Sequence, residues 1–435
     1  MRARHFGYRW LAGFSFVMIA ALDPGVRADL AGGNWPQWRG PQRDGVSTET
    51  GLLTSWPQGG PKRLFMASGL GRGFSSVAVT GGRIYTMGDR RDGQYVLALD
   101  EETGKQIWAT RIGGVHEDPD GFGGARGTPT IDGELLYAIG TDGSLVCLES
   151  ATGRERWRKN LERDFDGRMM SQWRWAESPL VDGDRVVVTP GGPRAGIVAL
   201  EKATGKEIWR AAIPRIGPAG ADGAAYSSIV ISNGGGVKQY VQVMGRGIVG
   251  VRASDGWYMW GNNAIANDIA NISTPVVRDN YVFASTGYGT GSVMLEISPA
   301  PNGRATAKQK YFLDAGVFQS HHGGFVIVGD HIYGGHGHNA GLPACIELAT
   351  GKSIWPRARN SGTGSAAVVA ADGHLYFRYQ NGVVLLVEAT PTGYKEKGSL
   401  QIPNPYTVSW PHPVVTGGRL YVREQDALHV YDVRR

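Results

Sequence analysis

A short phrase returns along the chain at a nearly fixed interval, and this recurrence restricts the available folds more than any other feature. QYVLALDEETGKQIW ends at Trp108, LVCLESATGRERW at Trp157, IVALEKATGKEIW at Trp209 and CIELATGKSIW at Trp355. Looser copies end at Trp260 and Phe312, another surrounds Gly393, and an eighth, LHVYDVRR, stops at the C-terminus. The closing aromatics Trp108, Trp157, Trp209, Trp260, Phe312 and Trp355 follow one another at 49, 52, 51, 52 and 43 residues. Alternating apolar residues, a Thr-Gly turn and a second short run read as a hairpin, with Gly205 free to take the positive φ that the turn needs. One hairpin cannot bury its own apolar face, so the copies must stack around a shared core.

Between these hairpins lies a second kind, with copies such as SSVAVTGGRIYTMG, GTPTIDGELLYAIG and ESPLVDGDRVVVTPG. Two hairpins per unit and eight units predict an all-β fold, an eight-bladed β-propeller of four-stranded antiparallel blades. PKRLF, ending at Phe65, precedes Trp108 by 43 residues and supplies the strand that the last unit lacks. It is expected to pair with Leu428 to Asp432 and close the ring, which removes the exposed edges of an open array. The propeller should therefore cover residues 61–435, after an irregular lead-in at 29–60 that carries NWPQWRGPQRDG and TSWPQGGP. The closing aromatics are assigned to packing between blades. The 66 glycines, about twice the usual ~7% share, suit many short strands and turns.

Arg2, Arg4 and Arg9 precede an apolar run from Trp10 to Leu22, and Val26-Arg27-Ala28 places small residues where a signal peptidase cuts. The run is shorter than the ~20 residues of a spanning helix. Residues 1–28 are thus expected to be a signal peptide, which makes the protein exported, periplasmic or extracellular, with no transmembrane segment in the mature chain. Their loss lowers the formal net charge from +6 to +3, too little to imply a nucleic-acid partner. Cys147 and Cys345 fall on the position held by Ala98 and Ala199, in units opposite each other in a ring of eight. Both are expected to be buried packing residues too far apart for a disulfide.

The spacing in ALDEETGKQIW, VALEKATGKEIW and IELATGKSIW resembles the tryptophan-docking repeat of the pyrroloquinoline quinone (PQQ) propeller superfamily. NWPQWRGPQRDG, ESPLVDGDRVVVTPGG, AAYSSIV and QSHHGGFVIVGDHIYGG are similar to segments of exported PQQ-like repeat proteins. The resemblance covers nearly everything after residue 33. It implies the propeller, and a function drawn from either quinoprotein dehydrogenases or cofactor-free scaffolds of outer-membrane protein assembly. A dehydrogenase of this kind clamps the quinone between a tryptophan and, in many members, a disulfide of neighbouring cysteines, with calcium and an Asp base alongside. Trp173 or Trp175 could stack on such a quinone, and Glu177, Asn267 and Asp268 are oxygen ligands of the type calcium takes. The adjacent cysteine pair is missing, as is the Cys-x-x-Cys-His of a haem site.

Strand order puts the loops between units, and those between the two hairpins of a unit, on one face, where their lengths vary. Binding residues favour such loops on a rigid frame. The long ones offer His116, Glu117, Asp118, Arg126, Trp173, Arg174, Asn263 and Asn271 besides those above. In the sixth unit a Gly329-Asp330 turn sets Val328 opposite His331, hence Gly323 opposite His336 and His321 opposite His338. His321, His322, His336 and His338 then form a candidate site for zinc, copper or iron. Strand alternation opposes this, since it sends His321 and His322 to opposite sides. The expected function is an exported binding or scaffold module that takes a protein, glycan or small-molecule ligand on its loop face and acts as a monomer. The alternatives are a PQQ- and calcium-dependent dehydrogenase of an alcohol or sugar, and a metal-dependent enzyme built on the four histidines.

Overall fold

The computed structural model describes residues 1–2, 34–118, 120–357, 362–406 and 408–435. The expected signal peptide lies almost wholly outside them. Eight antiparallel sheets form the chain's body, seven of four strands and one of three. Blades 1 to 7 occupy residues 78–113, 130–160, 180–211, 230–262, 276–314, 325–347 and 366–401, and blade 8 joins 414–432 to Arg63–Ala67. The closing strand pairs as the repeat required, with Phe65 opposite Val430 and Ala67 opposite Leu428. Middle strands such as Ile197–Glu201 are buried on both faces, because each blade has a neighbour on either side. No described helix is long and apolar enough to cross a membrane.

The repeated phrase makes two contacts in each unit. An acid three residues ahead of the threonine accepts from its hydroxyl and fixes the turn: Asp100 from Thr103 at 2.6 Å, Glu149 from Thr152 at 2.7 Å, Glu201 from Thr204 at 2.8 Å. The glycine that follows then receives the aromatic ring of the preceding blade. A Cβ on Gly153, Gly205 or Gly256 would stand 2.6, 2.8 or 2.4 Å from the indole of Trp108, Trp157 or Trp209, so only glycine admits the ring. Trp108 Nε1 donates to Ser150 O at 3.1 Å and Trp157 Nε1 to Lys202 O at 2.9 Å, so the ring's polar edge is satisfied as its face is buried. Cys147 and Cys345 are free and buried beneath this layer, and burial pushes both thiols up to about 11.

Three units depart from the expected form. In blade 5 the docking ring is Tyr311, not Phe312. The bulge that follows Ala98, Cys147 and Ala199 recurs after Met294, and it sets Tyr311 opposite Met294 as it sets Trp108 opposite Ala98. Tyr311 lies on Gly351 and donates to Leu348 O at 3.0 Å, while Phe312 is 39% exposed. In blade 4 Gly250 replaces the usual alanine or cysteine, and Trp260 folds back onto it and donates to Gln239 Oε1 at 2.6 Å. Blade 6 has three strands; its outer position is held by a single bridge between Ile346 and Ser353. Pro356 follows Trp355 there and has no N–H to extend a ladder.

This assignment makes Tyr311 and Phe312 unequal. Tyr311→Ala is expected to lower stability by roughly 2 kcal/mol and Phe312→Ala by about 0.5 kcal/mol or less. Urea unfolding of the two variants beside the wild type measures the difference, and equal midpoints would return the docking role to Phe312.

Candidate functional site

At the inner edge of the ring one position per blade, just ahead of the innermost strand, carries Ser76, Thr128, Ser178, Ser228 and Thr274 in blades 1 to 5. Each backbone N–H donates to the hydroxyl of the next blade: Ser76 to Thr128 at 3.1 Å, Thr128 to Ser178 at 2.9 Å, Ser178 to Ser228 at 3.0 Å and Ser228 to Thr274 at 3.3 Å. Blades 6 to 8 place Gly324, Ala367 and His412 at this position, and there the chain of hydroxyls ends.

The lead-in fills the axis. Residues 34–60 form no ladder strand; they touch the inner edges one after another. Asn34 N donates to Thr416 Oγ1, Trp35 pairs with Val79, and Ile131 N donates to Pro36 O. Trp38 Nε1 donates to Thr274 Oγ1 at 3.0 Å, Arg39 Nη2 to Phe325 O at 2.5 Å and Arg43 to the carbonyls of Ser178 and Pro179. Ser47 N donates to Ala370 O. Seven blades are thus joined by one strap of fourteen residues, 34 to 47.

Above Trp38 and Arg39 opens a cavity of about 400 Å³. Its lining comes from loops between blades and from loops between the hairpins of a blade, the face that strand order had singled out. One wall is a column of flat groups. Arg126 lies 5.4 Å over the Phe74 ring, Phe74 stacks on Trp410 at 4.7 Å, and Trp410 on His322 at 3.9 Å with planes 9° apart. The loop carrying Trp410 is tied down by a buried ion pair, in which Arg378 binds Ser409 and Glu424 while Glu424 accepts from Tyr406 N at 2.9 Å. Across the cavity stand Trp173, Tyr226 and Tyr288. Tyr226 exchanges a 2.7 Å hydrogen bond with Ser171.

Three of the four candidate histidines gather here. The rings of His321 and His322 are 3.7 Å apart and those of His321 and His338 4.1 Å. His321 meets Ser365 Oγ at 3.0 Å and Tyr288 Oη at 3.1 Å. The expected splay of His321 and His322 does not occur, because residues 321–323 form a bend and the strand begins only at Phe325. His336 is elsewhere: it ends its strand beside Phe318 and accepts from Gln319 N. As a metal set the group of His321, His322, His336 and His338 is therefore not assembled, and no cluster of three or more His, Cys, Asp or Glu among the described residues is placed to hold an ion. Burial holds His321 down to about 3 and His322 well below the usual imidazole range, with Arg126 adding to the latter. His412 is held at about 3 by burial and by Arg39.

The residues expected to hold quinone and calcium separate. Trp173 lines the cavity. Trp175 is 3% exposed in the core beside Leu161 and Phe165. Glu177 is buried, and its oxygens accept from Thr189 N at 2.7 Å, Thr189 Oγ1 at 2.9 Å and Gln242 Nε2 at 3.2 Å; burial raises it to about 7. Asn267 folds onto its own loop, accepting from Ile269 N and Ala270 N, and Asp268 is exposed. The cavity lining contains no Asp or Glu. This donor set does not fit a calcium-bound quinone, and no chemical step is derived through one. Reasoning from long polar loops missed Trp38, Arg39, Phe74, Tyr226 and Trp410. The aromatic pairs of NWPQW and the Tyr of AAYSSIV, directly ahead of an inner strand, were the available signal.

Over residues 92–357, more than half its length, the chain matches the family model described as outer membrane protein assembly factor BamB. A protein of that name from Kangiella koreensis is 25% identical over 228 residues, 50% of this chain and 49% of the relative, so the chain spans about half the length of that relative. Among solved structures, BamB from Moraxella catarrhalis superposes with a TM-score of 0.56 at 14% identity, over 86% of this chain and 99% of the other. Quinohemoprotein alcohol dehydrogenase from Comamonas testosteroni gives 0.59 at 12% identity, over 92% and 80%. At such identities the two structures share the fold alone. The chain belongs to the PQQ-like repeat propeller family represented by the outer membrane protein assembly factor BamB model.

Proposed function

We propose that this protein is an exported binding module that takes a small aromatic ligand into the cavity on its loop face, and that it is not a quinone-dependent dehydrogenase. The observation that carries the reading is the lining itself. Flat side chains form two walls, a cation and an indole form the floor, and among the described residues no carboxylate lines the cavity to act as a base or a calcium ligand. A cavity of about 400 Å³ suits a ligand of two fused rings. The imidazoles of His321 and His412 are poor general bases, because groups held at about 3 stay unprotonated but bind a proton too weakly to remove one from an alcohol, and burial lowers His322 and His338 in the same direction.

Aromatic fragments are therefore expected to bind the wild type and to lose binding in Ala176→Trp, which fills the cavity from its wall. Ligand-observed NMR with acidic, neutral and basic fragments reads this out. Absence of all binding, or binding indifferent to the filled cavity, would remove the proposal. Mixed with PQQ and calcium, the protein is expected to leave dye-linked oxidation of alcohols and sugars at background, and turnover above background restores the dehydrogenase. Cleavage after Ala28 completes the reading. Mass spectrometry of the exported protein is expected to find Asp29 as its first residue, and an intact N-terminus would indicate retention.

A further inference from the structure

Arg39 is 3% exposed, yet no carboxylate bonds it. Its Nη2 donates to the carbonyls of Asp44 and Phe325, at 2.7 and 2.5 Å. Nε and Nη1 have no partner among the described residues. A buried guanidinium left half satisfied is costly, and its neighbours make room for it. Gly324, the residue that interrupts the hydroxyl chain, would bring a Cβ within 2.6 Å of Arg39 Nη1. Arg126, the second cation of the lining, also keeps an unpartnered Nε, with Asp118 3.8 Å from its Nη2. Asp44 near Arg39, and Asp118 and Asp89 near Arg126, act on these cations through space, so what the cavity offers an anion is the Arg39 guanidinium, which no carboxylate among the described residues bonds.

The rest of the lining selects against a sugar. The hydroxyls of Ser178, Ser228 and Thr274 already accept from backbone N–H groups, and Thr274 also accepts from Trp38. Ser273, Asn339 and Gln380 also line the cavity, and the aromatic rings outnumber them. We propose that the cavity takes an aromatic monocarboxylate, with the carboxylate on Arg39 at the floor and the ring beside Trp410. This rests on the ligand-binding reading above and names the chemistry of its ligand. The lead-in segment is then part of the binding site, because it supplies the charge that decides which ligands enter.

Titration calorimetry with naphthoate, naphthylmethanol, naphthylmethylammonium and glucuronate tests it on the full mature chain. Naphthoate is expected to bind at least about tenfold more tightly than the alcohol, the usual worth of a charged hydrogen bond, with the ammonium compound and glucuronate weaker still. The titratable groups lining the cavity are Arg39, Arg126, Tyr226, Tyr288 and the imidazoles of His321, His322, His338 and His412, with Asp118 beside Arg126. All four imidazoles are depressed by burial, so they add no positive charge near neutrality, and the arginines, at about 10, keep theirs. Naphthoate affinity should thus change by less than about twofold between about pH 6 and 8, whereas an imidazolium partner would lose about tenfold per unit above its pKa. Arg39→Gln is expected to erase the preference for acid over alcohol and Arg39→Lys to keep part of it. If Arg39→Gln does not fold, salt serves instead: added salt should weaken naphthoate and leave the alcohol unchanged. Equal affinities for acid and alcohol, both lost in Ala176→Trp, would overturn the charge assignment and leave the cavity a ligand site. Glucuronate binding as tightly as naphthoate would overturn the aromatic class. No binding by any of the four would sink the ligand-binding reading itself.

Discussion

The inner edge of a propeller poses a problem of backbone satisfaction. Ahead of each innermost strand the chain turns toward the axis with N–H and C=O groups that its own sheet does not use, and a buried backbone group without a partner is rarely tolerated. Here the solution has two parts. Four blades pass a hydrogen bond to the next blade's hydroxyl, from Ser76 round to Thr274. Around the remaining arc Gly324, Ala367 and His412 cannot continue that pattern, and the lead-in supplies partners instead through Arg39 to Phe325 and Ser47 to Ala370. The cavity stands over both arcs, with Ser178, Ser228 and Thr274 on one side and Gly324 and His412 on the other, and the strap supplies its charge.

The outer joints obey a different economy of shape. Five of them set a flat ring on one blade against a bare Cα on the next, Trp108, Trp157, Trp209, Tyr311 and Phe65 meeting Gly153, Gly205, Gly256, Gly351 and Gly104. Where blade 4 puts glycine under its own tryptophan instead, the ring turns inward and joins blade 5 through the apolar cluster it shares with Val282, Val293 and Leu295. The outer layer therefore tolerates local exceptions. The axis does not, because the strap must match seven different edges at once.

The blade count, the closing strand and the face that carries the cavity were legible in the sequence, since all three follow from a repeat that needs only local pairing. Phe312 was misplaced because the longer hairpin of blade 5, Gly291–Ala300 with Arg304–Asp314, lacks the Thr-Gly phrase from which the ring position is counted. The histidines were half legible: counting back from the Gly329-Asp330 turn gives the right register as far as Phe325, where the ladder ends and a bend takes over. Glu177 looked available because sequence cannot reveal that Thr189 and Gln242 have already taken its oxygens. The strap was the least legible element. Its partners run from Val79, opposite Trp35, to Thr416, 382 residues from Asn34, and no periodicity connects Arg43 with Ser178 or Asn34 with Thr416.

The strap also bears on how such a molecule holds together in time. Repeat arrays with free ends can gain or lose units one at a time, because each repeat answers only to its neighbours. Here Asn34 cannot find its partner Thr416 until blade 8 exists, and blade 8 is itself completed by Arg63–Ala67. The strap and the closing strand are thus consumed in the same closure. A ring built this way is a single cooperative body despite its eightfold repetition, and the contacts that complete it are those of highest sequence separation, which form late and slowly.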